Sequence, residues 1–138
     1  MINLIEKIDH IGIAVADAEA SLAIFRDALG LELVRTEPVA SQKLVSYHLR
    51  IGASNLELLS PTEPGSVIAT FLEKKGQGIH HLALAVRDIE EVLAHLKAKG
   101  LQPLSEKPTE GAGGKRVIFF HPRTTGGVLL ELCETVAR

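Results

Sequence analysis

Two histidines and two glutamates stand at matched points of this 138-residue chain. His10 lies third in Ile8-Asp9-His10-Ile11-Gly12-Ile13-Ala14-Val15, and His81 lies third in Ile79-His80-His81-Leu82-Ala83-Leu84-Ala85-Val86, 71 positions later. Glu57 sits between Leu56 and Leu58, and Glu131 between Leu130 and Leu132, 74 positions later. Imidazole nitrogens and carboxylate oxygens make a suitable coordination shell for a divalent cation, and an approximate internal two-fold brings equivalent positions together. A lone histidine or glutamate on a half-buried strand is most often packed or solvated. Four of them at equivalent points of a repeat, each opposite a bulky apolar face, favour a metal site. Mixed nitrogen and oxygen donors accept cobalt, nickel, manganese or zinc alike.

The elements that must hold these groups have a period of two. Ile11, Ile13 and Val15 project to one side of the first segment, and His10, Gly12 and Ala14 to the other. In the second copy Leu82, Leu84 and Val86 form the bulky face, and His81, Ala83 and Ala85 the opposite one. The pattern predicts an open side with space beside each histidine. The same alternation sends the leucines around Glu57 and Glu131 to the core and the carboxylates to the histidine face.

Helices follow both strands. Asp17 is placed to cap one whose inward residues are Leu22, Phe25 and Leu29, with Gly30 past its end. Asp88 and Glu91 form a capping box for another, striped by Val92, Leu93 and Leu96 and closed by Gly100. Extended runs are predicted at 31–37, 44–51 and 55–59 in the first half and at 102–105, 116–120 and 128–133 in the second. Gly52-Ala53-Ser54 and Thr125-Gly126-Gly127 read as hairpin connections. The chain is thus one domain of two repeated modules, 1–62 and 76–138, joined by a helical linker over 63–75 whose helix is capped by Ser66 and stopped by Gly76.

Hydrophobic residues make up 46% of the chain, enough for one shared core, whereas a module of about 60 residues alone is marginal. A net charge of −2 gives no electrostatic footprint for nucleic acid, and no apolar run is long enough to cross a membrane. The single Cys133 excludes an internal disulfide framework. The first seven residues lack the pattern of a signal or transit peptide, so a cytoplasmic location is expected.

Other polar residues carry weaker signals. His80 has the opposite parity to His81, which suits packing or a hydrogen bond; His121 before Pro122 suits a turn anchor. His48 shares the parity of Ser46 and carries an imidazole able to give or take a proton, so it is either a solvated strand residue or an acid/base group. Lys115 and Arg116, beside the run Gly111-Ala112-Gly113-Gly114 and with Arg123 nearby, are candidates for phosphate contact.

The chain resembles the vicinal oxygen chelate superfamily over nearly its whole length. Within it the chain is most similar to the methylmalonyl-CoA epimerase family, on Ile8-Asp9-His10-Ile11-Gly12-Ile13-Ala14-Val15, Gly78-Ile79-His80-His81-Leu82-Ala83, and Phe120-His121-Pro122 followed by Gly126-Gly127-Val128-Leu129-Leu130-Glu131-Leu132. The resemblance implies an α+β fold of two paired βαβββ modules with a metal cleft. It places the ligands on His10, Glu57, His81 and Glu131, and puts cobalt first among the ions. It also implies an isomerase that inverts C2 of 2-methylmalonyl-CoA through an enolate, with an acyl-CoA substrate and a homodimeric assembly.

An inversion needs proton removal on one face and delivery on the other. By resemblance Glu131 is one such group, doubling as a ligand. Characterised relatives carry a second glutamate where this chain has Ser46, so His48 is the candidate replacement. Lys115 and Arg116 become candidates for the phosphates of coenzyme A. A glyoxalase I-type lactoylglutathione lyase shares the same ligand set and is the alternative. Ring-cleaving dioxygenases use two histidines and one glutamate, which the fourth ligand at Glu57 disfavours. A metal-free small-molecule binding protein of this architecture is a further alternative, weakened by an aromatic content of 4%.

Overall fold

The structure, a computed structural model, describes residues 4–135. Residues 1–3 and 136–138, which the predicted modules include, lie outside the described residues. The chain separates into two compact units, His10–His80 and Met1–Asp9 with His81–Arg138. It passes from one to the other inside the first strand and again between the paired histidines His80 and His81.

The His10–His80 unit takes the second half of β1 (Ile5–Ala14), followed by α1 (Ala18–Leu22), β2 (Glu32–Val39), β3 (Leu44–Ile51), β4 (Ser54–Pro61) and α2 (Val67–Lys75). Its sheet runs β2-β3-β4-β1, antiparallel except for the parallel pair of β4 with β1. The other unit has β5 (Gly78–Val86), α3 (Ile89–Ala98), the two-residue β6 (Thr109–Glu110), β7 (Lys115–Phe120), α4 (Pro122–Thr125) and β8 (Leu130–Thr135). Its sheet runs β6-β7-β8-β5, again with one parallel pair, β5 with β8. Each βαβββ module therefore places its first strand beside its last.

The predicted caps are present. Asp17 accepts from the Ala20 amide at 3.2 Å, Asp88 from the Glu91 amide at 3.1 Å, and Ser66 from the Ala69 amide at 3.2 Å. Each satisfies an amide that the first helical turn leaves without an intrahelical acceptor. The α3 start is also tied to β8, because Glu134 accepts from the Ile89 amide at 2.9 Å. Gly76 closes α2 with φ +79°, a conformation that a side chain would strain.

Bulky strand residues pack beneath the helices. Val15, Leu22, Leu49 and Leu58 form one cluster in the first unit, with Ile13, Phe25 and Leu56 against it. Val86, Ile89, Val92, Leu93, Ile118, Phe120 and Leu132 form its counterpart in the second, with Leu84, Leu96 and Leu130 against it. Burying one such leucine contributes about 1.5–3 kcal/mol.

Four expectations change. After Leu22 the first helix continues as a π-helical turn, Ala23–Ala28, with the Leu29 amide bonded to the Ile24 carbonyl. The wider turn rotates Leu29 off the apolar stripe and leaves it 62% exposed. Residues 102–105 form no strand; only Pro103 bridges to Phe120, because proline has no amide to donate to a ladder. The connection at 125–127 is the one-turn α4 with Gly126 in the left-handed region rather than a simple hairpin. Finally, the small-residue face of β1 is covered at Ala14, which packs with Leu44, Leu59 and Ile68 of the remote α2. Ala83 is flanked by Val117, Phe119 and Cys133, its neighbours on the same sheet face.

Candidate metal centre

The first His–Glu pair is set by strand register. Glu57 of β4 is the Cα partner of Gly12 on β1, and His10 lies two residues earlier on the same face. Glycine presents no side chain there, so the carboxylate leans towards the imidazole, with His10 Nδ1 3.3 Å from Glu57 Oε2. The second unit repeats the device. Glu131 of β8 is the Cα partner of Ala83 on β5, and His81 Nε2 lies 3.0 Å from Glu131 Oε1. All four side chains are more than nine-tenths buried. A buried carboxylate is tolerated only when paired or coordinating, and each has an imidazole against it.

Neighbouring side chains fix the second pair. The Phe119 ring meets the His81 ring edge-on, with centroids 5.7 Å apart. The Cys133 thiol lies 3.4 Å from Glu131 Oε2 as donor. Burial pushes this thiol far above its usual range, and the Glu131 carboxylate adds to the shift, so towards Glu131 it acts as a hydrogen-bond donor.

The first unit adds a polar group absent from the second. His48 of β3 is the Cα partner of Glu57, and His48 Nδ1 lies 3.3 Å from Glu57 Oε2. The opposite ring nitrogen, His48 Nε2, is 3.0 Å from Ser46 Oγ. Both residues are buried. Glu37 of β2 is the partner of Ser46 across the β2–β3 ladder, and its Oε1 is 3.8 Å from His48 Nε2. The sequence reading did not single out Glu37. A bulge between Leu33 and Arg35 shifts the pairing and changes which face Glu37 occupies, a shift that simple alternation does not reveal.

The remaining candidates have local partners. Lys115 Nζ is 2.6 Å from Asp9 Oδ2, and Arg116 is shared between Glu90 and Glu134, so both cations offered to phosphates are held by carboxylates. His80 meets Phe71 edge-on at 4.9 Å. His121 accepts from the Arg123 amide at 3.0 Å and thereby caps α4.

Residues 9–119 match the family model of the Glyoxalase/Bleomycin resistance protein/Dioxygenase superfamily. The chain is also 38% identical to the human protein named methylmalonyl-CoA epimerase, mitochondrial, over 91% of this chain and 72% of that one. It belongs to the methylmalonyl-CoA epimerase family of this superfamily. The epimerase likeness extends to three dimensions. A methylmalonyl-CoA epimerase from Mycobacterium tuberculosis superposes with a TM-score of 0.92 at 35% identity, covering 99% of this chain and 93% of that one. A Streptomyces coelicolor methylmalonyl-CoA epimerase variant in complex with 2-nitronate-propionyl-CoA gives 0.90 at 37% identity, covering 96% and 99%. The chain has the glyoxalase fold that these epimerases share.

The side chains of this epimerase-family member fit a divalent cation. Each histidine–glutamate pair joins an imidazole nitrogen to a carboxylate oxygen in a buried setting, a donor mixture that borderline divalent ions accept. Two buried carboxylates also create a demand for compensating positive charge.

Proposed function

We propose that this chain interconverts the two C2 epimers of methylmalonyl-CoA by 1,1-proton transfer, with His10, Glu57, His81 and Glu131 holding one divalent cation. The observation that carries the reading is the duplicated His–Glu pair, buried beside a small residue in both halves of a methylmalonyl-CoA epimerase-family chain. The acidic hydrogen of the substrate lies between a thioester and a carboxylate. When bound, the cation supplies positive charge that favours the anion left by that hydrogen. Cobalt is the ion we put first, with nickel, manganese and zinc compatible with the same donors.

Glu131 handles the proton on one face of the planar anion. The opposite face is served from the first unit by the group containing His48, Ser46 and Glu37, where the sequence reading put His48. Burial around both His–Glu pairs strengthens the charge interactions inside. Contact of Lys115 or Arg116 with the phosphates of coenzyme A would require exchange of Asp9, Glu90 or Glu134 for the ligand. Among the described residues no helix is long and apolar enough to cross a membrane. We take the protein to be cytoplasmic and homodimeric, and light scattering on the purified protein tests the dimer.

The activity is tested by incubating the cobalt-loaded protein with (S)-methylmalonyl-CoA in deuterated water, beside an assay with the methylglyoxal–glutathione hemithioacetal. Formation of the (R) epimer with deuterium at C2 supports the reading. Turnover of the hemithioacetal without C2 exchange would reverse it in favour of a lactoylglutathione lyase.

A further inference from the structure

We infer that the second acid/base group of the site is Glu37, and that His48 and Ser46 position it. The inference rests on the epimerase reading and names the residue that completes it.

A group that exchanges a proton with a ligand must keep a lone pair that protein groups do not occupy. A carboxylate, with about four lone-pair sites, keeps one beside two partners, whereas an imidazole with both nitrogens engaged keeps none. His48 is 3% exposed, with Nδ1 against Glu57 and Nε2 against the Ser46 hydroxyl. Its nitrogens therefore face protein groups. Ser46, 1% exposed, is a weak base held inside. Glu37 differs. Its side chain is 31% exposed although its Oε1 is buried, so the exposed part of the side chain is what a ligand meets. Arg35 Nη2 lies 3.1 Å from the buried Oε1 and compensates the charge of a carboxylate that has further lone-pair sites for a proton.

The backbone explains how the carboxylate arrives there. Leu33 pairs with Leu49, on the core side of the sheet. Unbroken alternation would put Glu37 on that core side as well. The bulge between Leu33 and Arg35 shifts the pairing by one residue, so that Arg35 meets His48 and Glu37 meets Ser46. Glu37 is thereby turned to the face that carries Glu57. Directly opposed residues have Cβ atoms about 4.5–5.5 Å apart, and the short Ser46 side chain leaves that interval to the Glu37 carboxylate. Residue 46 lacks a carboxylate, and the neighbouring strand supplies one at the same place.

In one direction the C2–H bond breaks, its proton passing to a Glu37 oxygen and its electron pair into the enolate. A proton from the Glu131 carboxyl then forms the new C–H bond on the other face. The reverse reaction exchanges the two roles, and solvent resets both carboxyl groups.

The test follows each epimer separately in deuterated water with the cobalt-loaded parent, Glu37→Gln and Glu37→Asp, by mass spectrometry and chiral analysis. General acid/base groups are worth about 10²–10⁴-fold, so epimerisation by Glu37→Gln is expected to fall by at least about 100-fold. One epimer should still exchange its C2 hydrogen through Glu131 without inverting, and Glu37→Asp should recover part of the turnover. Epimerisation by Glu37→Gln within a few-fold of the parent would overturn the inference. Equal loss of exchange from both epimers, with metal content and folding unchanged, would also overturn it. A parent that neither exchanges nor epimerises defeats the epimerase reading itself, and so is distinguishable from failure at Glu37.

Discussion

Glu131 is the register partner of Ala83 on the neighbouring parallel strand, and this pairing gives its carboxylate room to meet His81. Ala83 is fully buried against Val117, Phe119 and Cys133. Ala83→Leu is expected to cost about 1–3 kcal/mol through overpacking and to displace Glu131, so that divalent-metal retention falls. Denaturant titration together with metal analysis checks both effects. Unchanged stability and metal content would show that the small residue is not what makes room.

The π-helical turn gives a paired prediction. Leu22→Ala should cost about 2–5 kcal/mol, as for other buried leucines, while Leu29→Ala should stay within about 0.5 kcal/mol because its side chain is largely in solvent. Thermal unfolding of both variants measures the contrast. A large loss at Leu29 would restore the regular helix that the 22, 25, 29 spacing suggested.

Lys115 and Asp9 form a partly buried pair within one unit. Lys115→Met should destabilise by about 1–3 kcal/mol by removing a partner from a buried carboxylate. A raised KM for acyl-CoA with no loss of stability would instead assign Lys115 to phosphate binding.

Cys133 is 2% exposed, with its ionisation disfavoured mainly by burial and further by Glu131. Iodoacetamide at about pH 8 should leave it unmodified in the native protein and alkylate it fully in denaturant, because the reactive thiolate is scarce and inaccessible in the fold. Rapid native alkylation, followed by intact mass, would contradict this burial.

The repeat made much of the site legible, because period-two alternation assigns His10, Glu57, His81 and Glu131 to definite faces and the structure places a carboxylate against each histidine. Capping residues were equally readable, since Asp17, Ser66 and Asp88 act on amides three residues away. What escaped depends on tertiary placement. The covering of Ala14 by Ile68 comes from a remote helix that no local pattern encodes. Glu37 escaped because one bulge reverses the parity of everything after it in the strand. The predicted run at 102–105 fails on a local rule, the missing amide of Pro103.

Under the proposed function the two halves contribute to one cation, which metal stoichiometry tests most directly. The protein is purified, loaded with cobalt, desalted and measured by mass spectrometry of the metal beside His10→Ala and His81→Ala. One ion per chain in the parent, lost to a similar extent in either variant, is the predicted result. Two ions per chain, with each variant losing only one, would contradict it.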